Sequence, residues 1–394
     1  MLGLVLDAKW EPRPGYVVSE HEKRTGKAND SAQVWRYPSL SLQDLPSPQP
    51  GQNEVLLNVQ YCGVSSADVH FYKTDAEQYM LFHGCSRVPV VVGHEFSAIV
   101  ESIGKKVSHL KPGMLVTVEQ VIWCGECSAC RSGLPNLCQY VEEVGFTVPG
   151  GFADSVVIGA KHCWPVDDLV GLYGSREQAL QAAALCEPAS ASYNALFNCA
   201  GGFRPGSTVV VHGAGAIGLS AVALARTAGA AKIIVFENEL KRQQLARKLR
   251  ADSVFSSREL DAAGISIAEV VMELTNGAGA EVHVAATGSP ERTFREMELS
   301  LALNGKIILI GRTNRQVPMD LTLLQSRRGN IFCCEGHSGQ NSFPNVIRLM
   351  VAGLLDLRAI IAQEIELAQV IPAIKSLSEE TSGGKTLIRT KRDS

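Results

Sequence analysis

Apolar and polar positions along this chain follow two rhythms. From Val34 to about Ile158 the apolar runs are short and are punctuated by glycine and proline, as in Glu54-Val55-Leu56-Leu57-Asn58-Val59 and Met114-Leu115-Val116-Thr117-Val118. Such runs predict an antiparallel, barrel-like domain, with Pro46, Pro48 and Pro50 marking an irregular connection between two strands. From Pro205 the runs Thr208–Val211, Lys232–Phe236, Val254–Phe255, Glu281–Ala285, Lys306–Ile310 and Asn330–Cys333 read as strands. Most are separated by helical stretches, Ala216–Ala228, Glu239–Arg250, Ser266–Asn276 and Pro290–Leu303. Strands joined by helical crossovers predict a parallel, doubly wound sheet and an α/β class. Residues 1–31 are charged and carry Pro12, Pro14 and Gly15, which predicts a partly extended N-terminal arm. After Gly339 a helix at Pro344–Ala352 and a strand at Thr386–Arg389 are expected to rejoin the first domain. The expected division is therefore the arm, a catalytic domain over 32–195 and 340–394, and a nucleotide domain over 196–339.

A length of 394 residues fits two domains of ordinary size. Apolar residues make up 45% and charged residues 20%, and the formal net charge is −3, so no basic footprint exists for nucleic acid or an anionic membrane. The apolar start Met1–Leu6 is cut short by Asp7 and Lys9 and lacks a basic flank, which argues against a secretory signal. No apolar run approaches the roughly 18 residues of a membrane span. Eleven cysteines, an odd number with four clustered, read as thiols and metal ligands rather than a disulfide framework, and a cytoplasmic protein is the default expectation.

The strand Thr208–Val211 runs into Gly213-Ala214-Gly215-Ala216-Ile217-Gly218 and then a helix rich in alanine and leucine. A bare G-x-G-x-x-G carries little information; between a strand and a helix it points to a dinucleotide site. Gly213 permits the tight turn, Gly215 lets backbone approach a pyrophosphate, and Gly218 lets the helix pack on the sheet, with the amides at Ala216 and Ile217 facing the phosphates. Glu237 closes the next strand, where a carboxylate accepts hydrogen bonds from the ribose hydroxyls and repels a 2′-phosphate. NAD is thus favoured over NADP, although Lys241 and Arg242 stand nearby; Arg242, Thr287 and Gly311 complete the cofactor candidates. The competing reading is glycines that only pack a helix.

Cys124, Cys127, Cys130 and Cys138 follow C-x2-C-x2-C-x7-C, with Gly125 and Gly133 among them. That spacing folds four thiolates toward one point and closes a tetrahedron around zinc. A closed four-thiolate shell leaves no place for substrate, so the expected zinc is structural, in a lobe over about residues 120–140.

Gly93-His94-Glu95, this cysteine lobe, Glu187-Pro188, the glycine fingerprint and Ala286-Thr287-Gly288 together resemble the zinc-dependent medium-chain alcohol and polyol dehydrogenases over nearly the whole chain from Val34 onward. The resemblance implies a GroES-like barrel beside a Rossmann sheet, and a homodimer or homotetramer. The branch it looks most like includes sorbitol, threonine and scyllo-inosose dehydrogenases; Val34-Trp35-Arg36-Tyr37-Pro38 and Gly336-His337-Ser338-Gly339 look especially like the scyllo-inosose enzymes. Carried over by position, the family's catalytic metal ligands fall on His94 with Glu95 or Glu187, its histidine-orienting carboxylate on Asp68, and its outward proton relay on His70.

One segment departs from the pattern. Members usually read Cys-Gly-Ser/Thr-Asp-x-His where this chain reads Ser65-Ser66-Ala67-Asp68-Val69-His70. Ser65 stands where the thiolate ligand is expected and Ala67 where the proton-accepting hydroxyl is expected, while Cys62 is out of register. A serine hydroxyl is a far poorer zinc ligand than a thiolate, so a second, weaker zinc on His94, Glu95 and Glu187 is expected. The implied activity is NAD-dependent interconversion of a secondary alcohol and a ketone on a cyclitol, sugar or aminosugar-like polyol. The alternatives are a redox-neutral epimerase with retained NAD, and a nucleotide-binding member with a degenerate metal site.

Overall fold

In the computed structural model, which describes residues 1–288, 291, 293–312, 315–379 and 383–390, the chain begins with a strand rather than an arm. Leu2–Trp10 pairs antiparallel with Trp35–Asp44 on one side and Val90–Val91 on the other. Leu4 and Leu6 are fully buried, while Asp7 and Lys9 fall on exposed positions. The charges that break the apolar run are thus compatible with a strand buried only over its first half. Part of the expected arm does exist, as a short helix Glu20–Thr25 opened by a capping box between Ser19 and Glu22.

A seven-stranded sheet runs in the order Cys163–Pro165, Leu115–Val118, Glu95–Ile103, Glu54–Gly63, Lys385–Arg389 and Ile361–Glu366, with Ser155–Gly159 also paired to Glu54–Gly63. It encloses a core that includes Leu57, Phe71, Phe96, Phe146 and Phe152. This is the barrel-like domain expected from the short runs.

The second unit carries a six-stranded sheet in the order Ser253–Phe255, Lys232–Phe236, Thr208–His212, Ala280–Ala285, Leu301–Leu309 and Asn330–Cys333, every neighbouring pair parallel. The helix Ala216–Thr227 buries Leu219, Val222 and Leu224 beside it. The helix expected over 290–303 is shorter, Phe294–Leu299; residues 289, 290 and 292 lie outside the described residues. Leu301 already belongs to the following strand and pairs with Ala280, an assignment that apolar periodicity cannot separate from a helix end.

The division of the chain also differs from the expected one. One compact unit is Met1–Glu187 with Gln363–Ser394, the other Pro188–Ala362. Residues 188–199 and 340–362 join the parallel-sheet unit through long-range hydrogen bonds that no local pattern announces. Ser192 Oγ donates to the Ile217 carbonyl at 2.8 Å, Asn198 Nδ2 to Ser342 Oγ at 2.9 Å, and Thr227 Oγ1 to the Leu354 carbonyl at 2.8 Å.

Candidate active site and metal centres

The helix Ser66–Tyr72 is opened by a capping box in which Ser65 Oγ accepts from the Ala67 amide at 3.3 Å and Asp68 Oδ2 accepts from the Ser65 amide at 2.8 Å. The same Asp68 carboxylate turns its Oδ1 to His94 Nδ1 at 3.3 Å, an ion-pair contact between two buried groups. Asp68 therefore caps a helix and orients a histidine at once. With Nδ1 committed to Asp68, His94 presents Nε2 as its remaining donor. His94 follows Gly93, whose φ of +93° makes the turn out of Val90–Val91, and its ring packs on Phe146 at 5.0 Å.

His94, Glu95 and Glu187 are buried, and one donor atom from each lies within 4.8 Å of the others. Glu95 is paired with the ammonium of Lys385, also buried, which donates to the Val64 carbonyl at 3.1 Å. Gly63 makes room for this pair: a Cβ there would lie 2.8 Å from Glu95 Oε2 and 3.3 Å from Lys385 Cε. Lys385 escaped the sequence reading, which began the last strand one residue late. Its available signal was a lysine opening an otherwise apolar strand, a residue rarely buried without an anion.

The charges of this pocket favour a cation. Asp68, Glu95 and Glu187 gather three carboxyl groups around His94, beside the single ammonium of Lys385. Burial opposes charge on His94, yet Asp68, Glu187 and Glu95 together raise its pKa to about 9. Burial likewise pushes Glu95 up against the pull of Lys385. A divalent metal would suit this gathering of carboxyl groups, and the mixed nitrogen and oxygen donors fit zinc. Glu95 Oε2 and His94 Nδ1 lack well-aligned hydrogen bonds, as fits groups held by charge. Cys62 is buried in the adjoining strand, its thiol pushed well up by burial and then by Asp68 and Glu95, and it is not among the clustered donors. His70 lies exposed near the end of the helix.

The four lobe cysteines also converge within 4.8 Å. The sulfurs of Cys124 and Cys130, and those of Cys127 and Cys138, are 3.9 Å apart. Four thiolates about 2.3 Å from zinc would be about 3.8 Å apart, so this shell fits the ion. Backbone amides already face the sulfurs, those of Glu126 and Cys127 on Cys124 at 3.3 Å and that of Tyr140 on Cys138 at 3.3 Å. Backbone hydrogen bonds from Cys130 and Gln139 lower the Cys127 thiol to about 6.

In the second unit Gly213 has φ +90°, and a Cβ on Gly218 would strike the Gly213 carbonyl at 1.9 Å. A Cβ on Gly215 would meet nothing within 4 Å, so the backbone at the head of the helix is open to approach. Gly215 caps that helix without a side-chain hydrogen bond, leaving the amides of Ala216 and Ile217 at an uncapped, positive dipole end. Glu237 is buried and braces the turn: Oε2 accepts from the Ala214 amide at 2.7 Å and Oε1 from the Glu239 amide at 2.9 Å, with Arg242 3.9 Å away. Gly311 allows a close approach to Thr287, whose carbonyl would lie 2.0 Å from a Cβ. No helix among the described residues is long and apolar enough to cross a membrane.

Comparison with known proteins agrees with this architecture. The chain matches the alcohol dehydrogenase GroES-like domain over residues 51–168 and the zinc-binding dehydrogenase family over residues 216–352. Scyllo-inosose 3-dehydrogenase of Thermotoga maritima is 35% identical over 97% of this chain and 98% of its own length. Sorbitol dehydrogenase of Bacillus subtilis is 27% identical over 85% of this chain and 90% of its own. A solved structure of a candidate alcohol dehydrogenase from Thermotoga maritima superposes with a TM-score of 0.94 at 34% identity, covering 99% of this chain and 100% of that one. Galactitol-1-phosphate dehydrogenase of Escherichia coli shares the fold at a TM-score of 0.77 and 19% identity, covering 99% and 100%. A GroES-like domain, a Rossmann sheet and near-complete coverage by a dehydrogenase relative place the chain in the zinc-dependent medium-chain alcohol dehydrogenase family, enzymes that use a nicotinamide cofactor.

Proposed function

We propose that this enzyme interconverts a secondary alcohol and a ketone on a cyclitol or related polyol, with NAD as the hydride carrier. The observation that carries the reading is the buried His94–Glu95–Glu187 cluster, backed by Asp68 and Lys385, in a chain 35% identical over nearly its full length to a scyllo-inosose dehydrogenase. A zinc bound there would polarise the substrate oxygen. His94 Nε2, Glu95 and Glu187 would hold it, Asp68 would keep the imidazole in the tautomer that leaves Nε2 bare, and Lys385 would hold Glu95 in place and oppose the effect of its burial. Cys124, Cys127, Cys130 and Cys138 would hold a second, structural zinc.

NAD rather than NADP is supported by Glu237, a buried carboxylate at the turn, which disfavours a 2′-phosphate. Gly213, Gly215, Ala216, Ile217 and Gly218 would receive the pyrophosphate, with Arg242, Thr287 and Gly311 around the rest of the cofactor. Ala67 carries no hydroxyl, so the alcohol proton needs another acceptor. Ser66 lies exposed on the first turn, and His70 one turn later on the same face would pass the proton to solvent. A cytoplasmic setting is consistent with the four thiols of the lobe.

NADH formation on a panel of inositols, inososes, hexitols and threonine tests the reading. Activity confined to cyclitols or polyols supports it, and turnover of threonine alone overturns the substrate class. The Ser65 and Ala67 departure favours one second reading, an epimerase with retained NAD. That enzyme would convert substrate with no added cofactor and no net NADH.

A further inference from the structure

Three cysteines outside both metal centres meet on one side of the parallel-sheet unit. Cys199 ends the π-helix Asn194–Cys199, Cys333 ends the edge strand Asn330–Cys333, and Cys334 follows it. Cys199 and Cys333 are exposed and Cys334 is half-buried. The contacts identify Cys334 as the one whose sulfur turns to the helix. Its Sγ lies 3.9 Å from the Ala195 carbonyl, one turn before Cys199, so that each of these two sulfurs rests against the backbone of the other's segment. Cys333 offers only its carbonyl, 3.7 Å from Cys199 Sγ.

The helix end that carries Cys199 is firmly placed. Lys306 Nζ donates to the Ala200 and Gly202 carbonyls at 2.5 and 2.6 Å. Asn194 Nδ2 reaches the Gly336 carbonyl at 3.0 Å and that of Glu335 at 3.4 Å. The segment so held, Cys334–Gly339, leaves the carboxyl end of its strand, the edge at which ligands of open α/β sheets bind. Its Glu335 is paired with Arg312, next to Gly311.

We propose that Cys199 and Cys334 form a reversible thiol switch that, on oxidation by a peroxide, ties the helix end to the Cys334–Gly339 segment. The exposed Cys199 thiolate attacks one peroxide oxygen, the O–O bond breaks, and hydroxide leaves while Cys199 becomes a sulfenic acid. The Cys334 sulfur then displaces that oxygen as water and closes the disulfide. Two thiols lose two electrons and two protons, and the peroxide becomes two waters. The exposed Cys199 is the thiol open to the peroxide, and the half-buried Cys334 is left to resolve the sulfenic acid.

The test treats the zinc- and NAD-loaded enzyme with hydrogen peroxide, blocks free thiols, and maps peptides with and without dithiothreitol. The expected product is a reducible Cys199–Cys334 linkage, together with slowed amide exchange over residues 334–339. Both effects should be absent from Cys199→Ser and Cys334→Ser, which replace surface or half-buried thiols and are expected to fold. A sulfenic or sulfinic Cys199 with no linkage, a linkage through Cys333, or a linkage that leaves exchange unchanged would each overturn the proposal. None of these readouts depends on the substrate assignment.

Discussion

His212 and His283 make the parallel-sheet unit sensitive to acid. They stand on neighbouring strands in its core, 1% and 0% exposed, with ring centroids 5.5 Å apart. His283 Nε2 faces the Ser300 carbonyl at 3.4 Å, His283 Nδ1 faces His212 Nε2 at 3.2 Å, and His212 Nδ1 has no hydrogen-bond partner. One proton per ring satisfies this arrangement: His283 donates to Ser300 and His212 donates to His283. A further proton on either ring would find no acceptor. Burial, and then His283, push His212 far below the ordinary histidine range, and burial pushes His283 down to about 4. The unfolded chain protonates both near pH 6.5, so below that pH the unfolded state binds more protons and stability falls as pH drops toward 4. At pH 5 the linkage relation costs about 2 kcal/mol for His283 and about the same for His212. A loss of about 4 kcal/mol lowers the melting temperature of a unit this size by roughly 10 °C. The assay is calorimetry between pH 7.5 and 5.0 on wild type and on His212→Gln/His283→Gln, which retains polar side chains but cannot titrate. All four tryptophans, Trp10, Trp35, Trp123 and Trp164, lie in the other unit, so their fluorescence follows that unit as an internal control. Parallel pH profiles for wild type and the double variant would refute the reasoning.

Ser65 stands where the family resemblance expects a thiolate ligand, so Ser65→Cys, which adds a soft, ionisable donor, should raise zinc retained after dialysis from near one toward two per chain, read by elemental analysis; an unchanged count would show that Ser65 does not face the site. Cys127→Ser should lose the lobe zinc and with it solubility or thermal stability, and a variant with unchanged zinc and melting temperature would contradict the assignment. Gly63→Ala places a methyl against Glu95 and Lys385 and should lower stability by about 1–3 kcal/mol, measured by thermal unfolding, with activity falling alongside. Glu237→Ser should weaken NAD binding and narrow the gap to NADP in calorimetric titration; because it also removes the brace on the Ala214 amide, affinity for both cofactors should drop, NAD more.

Elements whose cause is local were legible in the amino-acid sequence. The parallel strands, the glycine turn at Gly213 and the cysteine lobe each depend on residues close together in the chain, so spacing carries their geometry. The metal-site candidates His94, Glu95 and Glu187, with Asp68 behind them, were legible through resemblance to a known family, because no short-range pattern links residues so far apart. The strand Leu2–Trp10 was misread as part of an arm, because whether an apolar run is buried depends on partners at Trp35–Asp44 and Val90–Val91. The compact units divide elsewhere than the pattern suggests for the same reason, since Ser192, Ser342 and Leu354 join the parallel-sheet unit through hydrogen bonds with the distant Ile217, Asn198 and Thr227. The sequence by itself therefore determined the two architectures, the cofactor turn and the four-thiolate shell. Only the tertiary structure decided that Lys385 pairs with Glu95 across a gap left by Gly63, that Asp68 serves both a helix and His94, and that two histidines and two cysteines meet in the parallel-sheet unit. Those contacts join residues remote in sequence, and burial sets their strength; both exist only once the chain has folded.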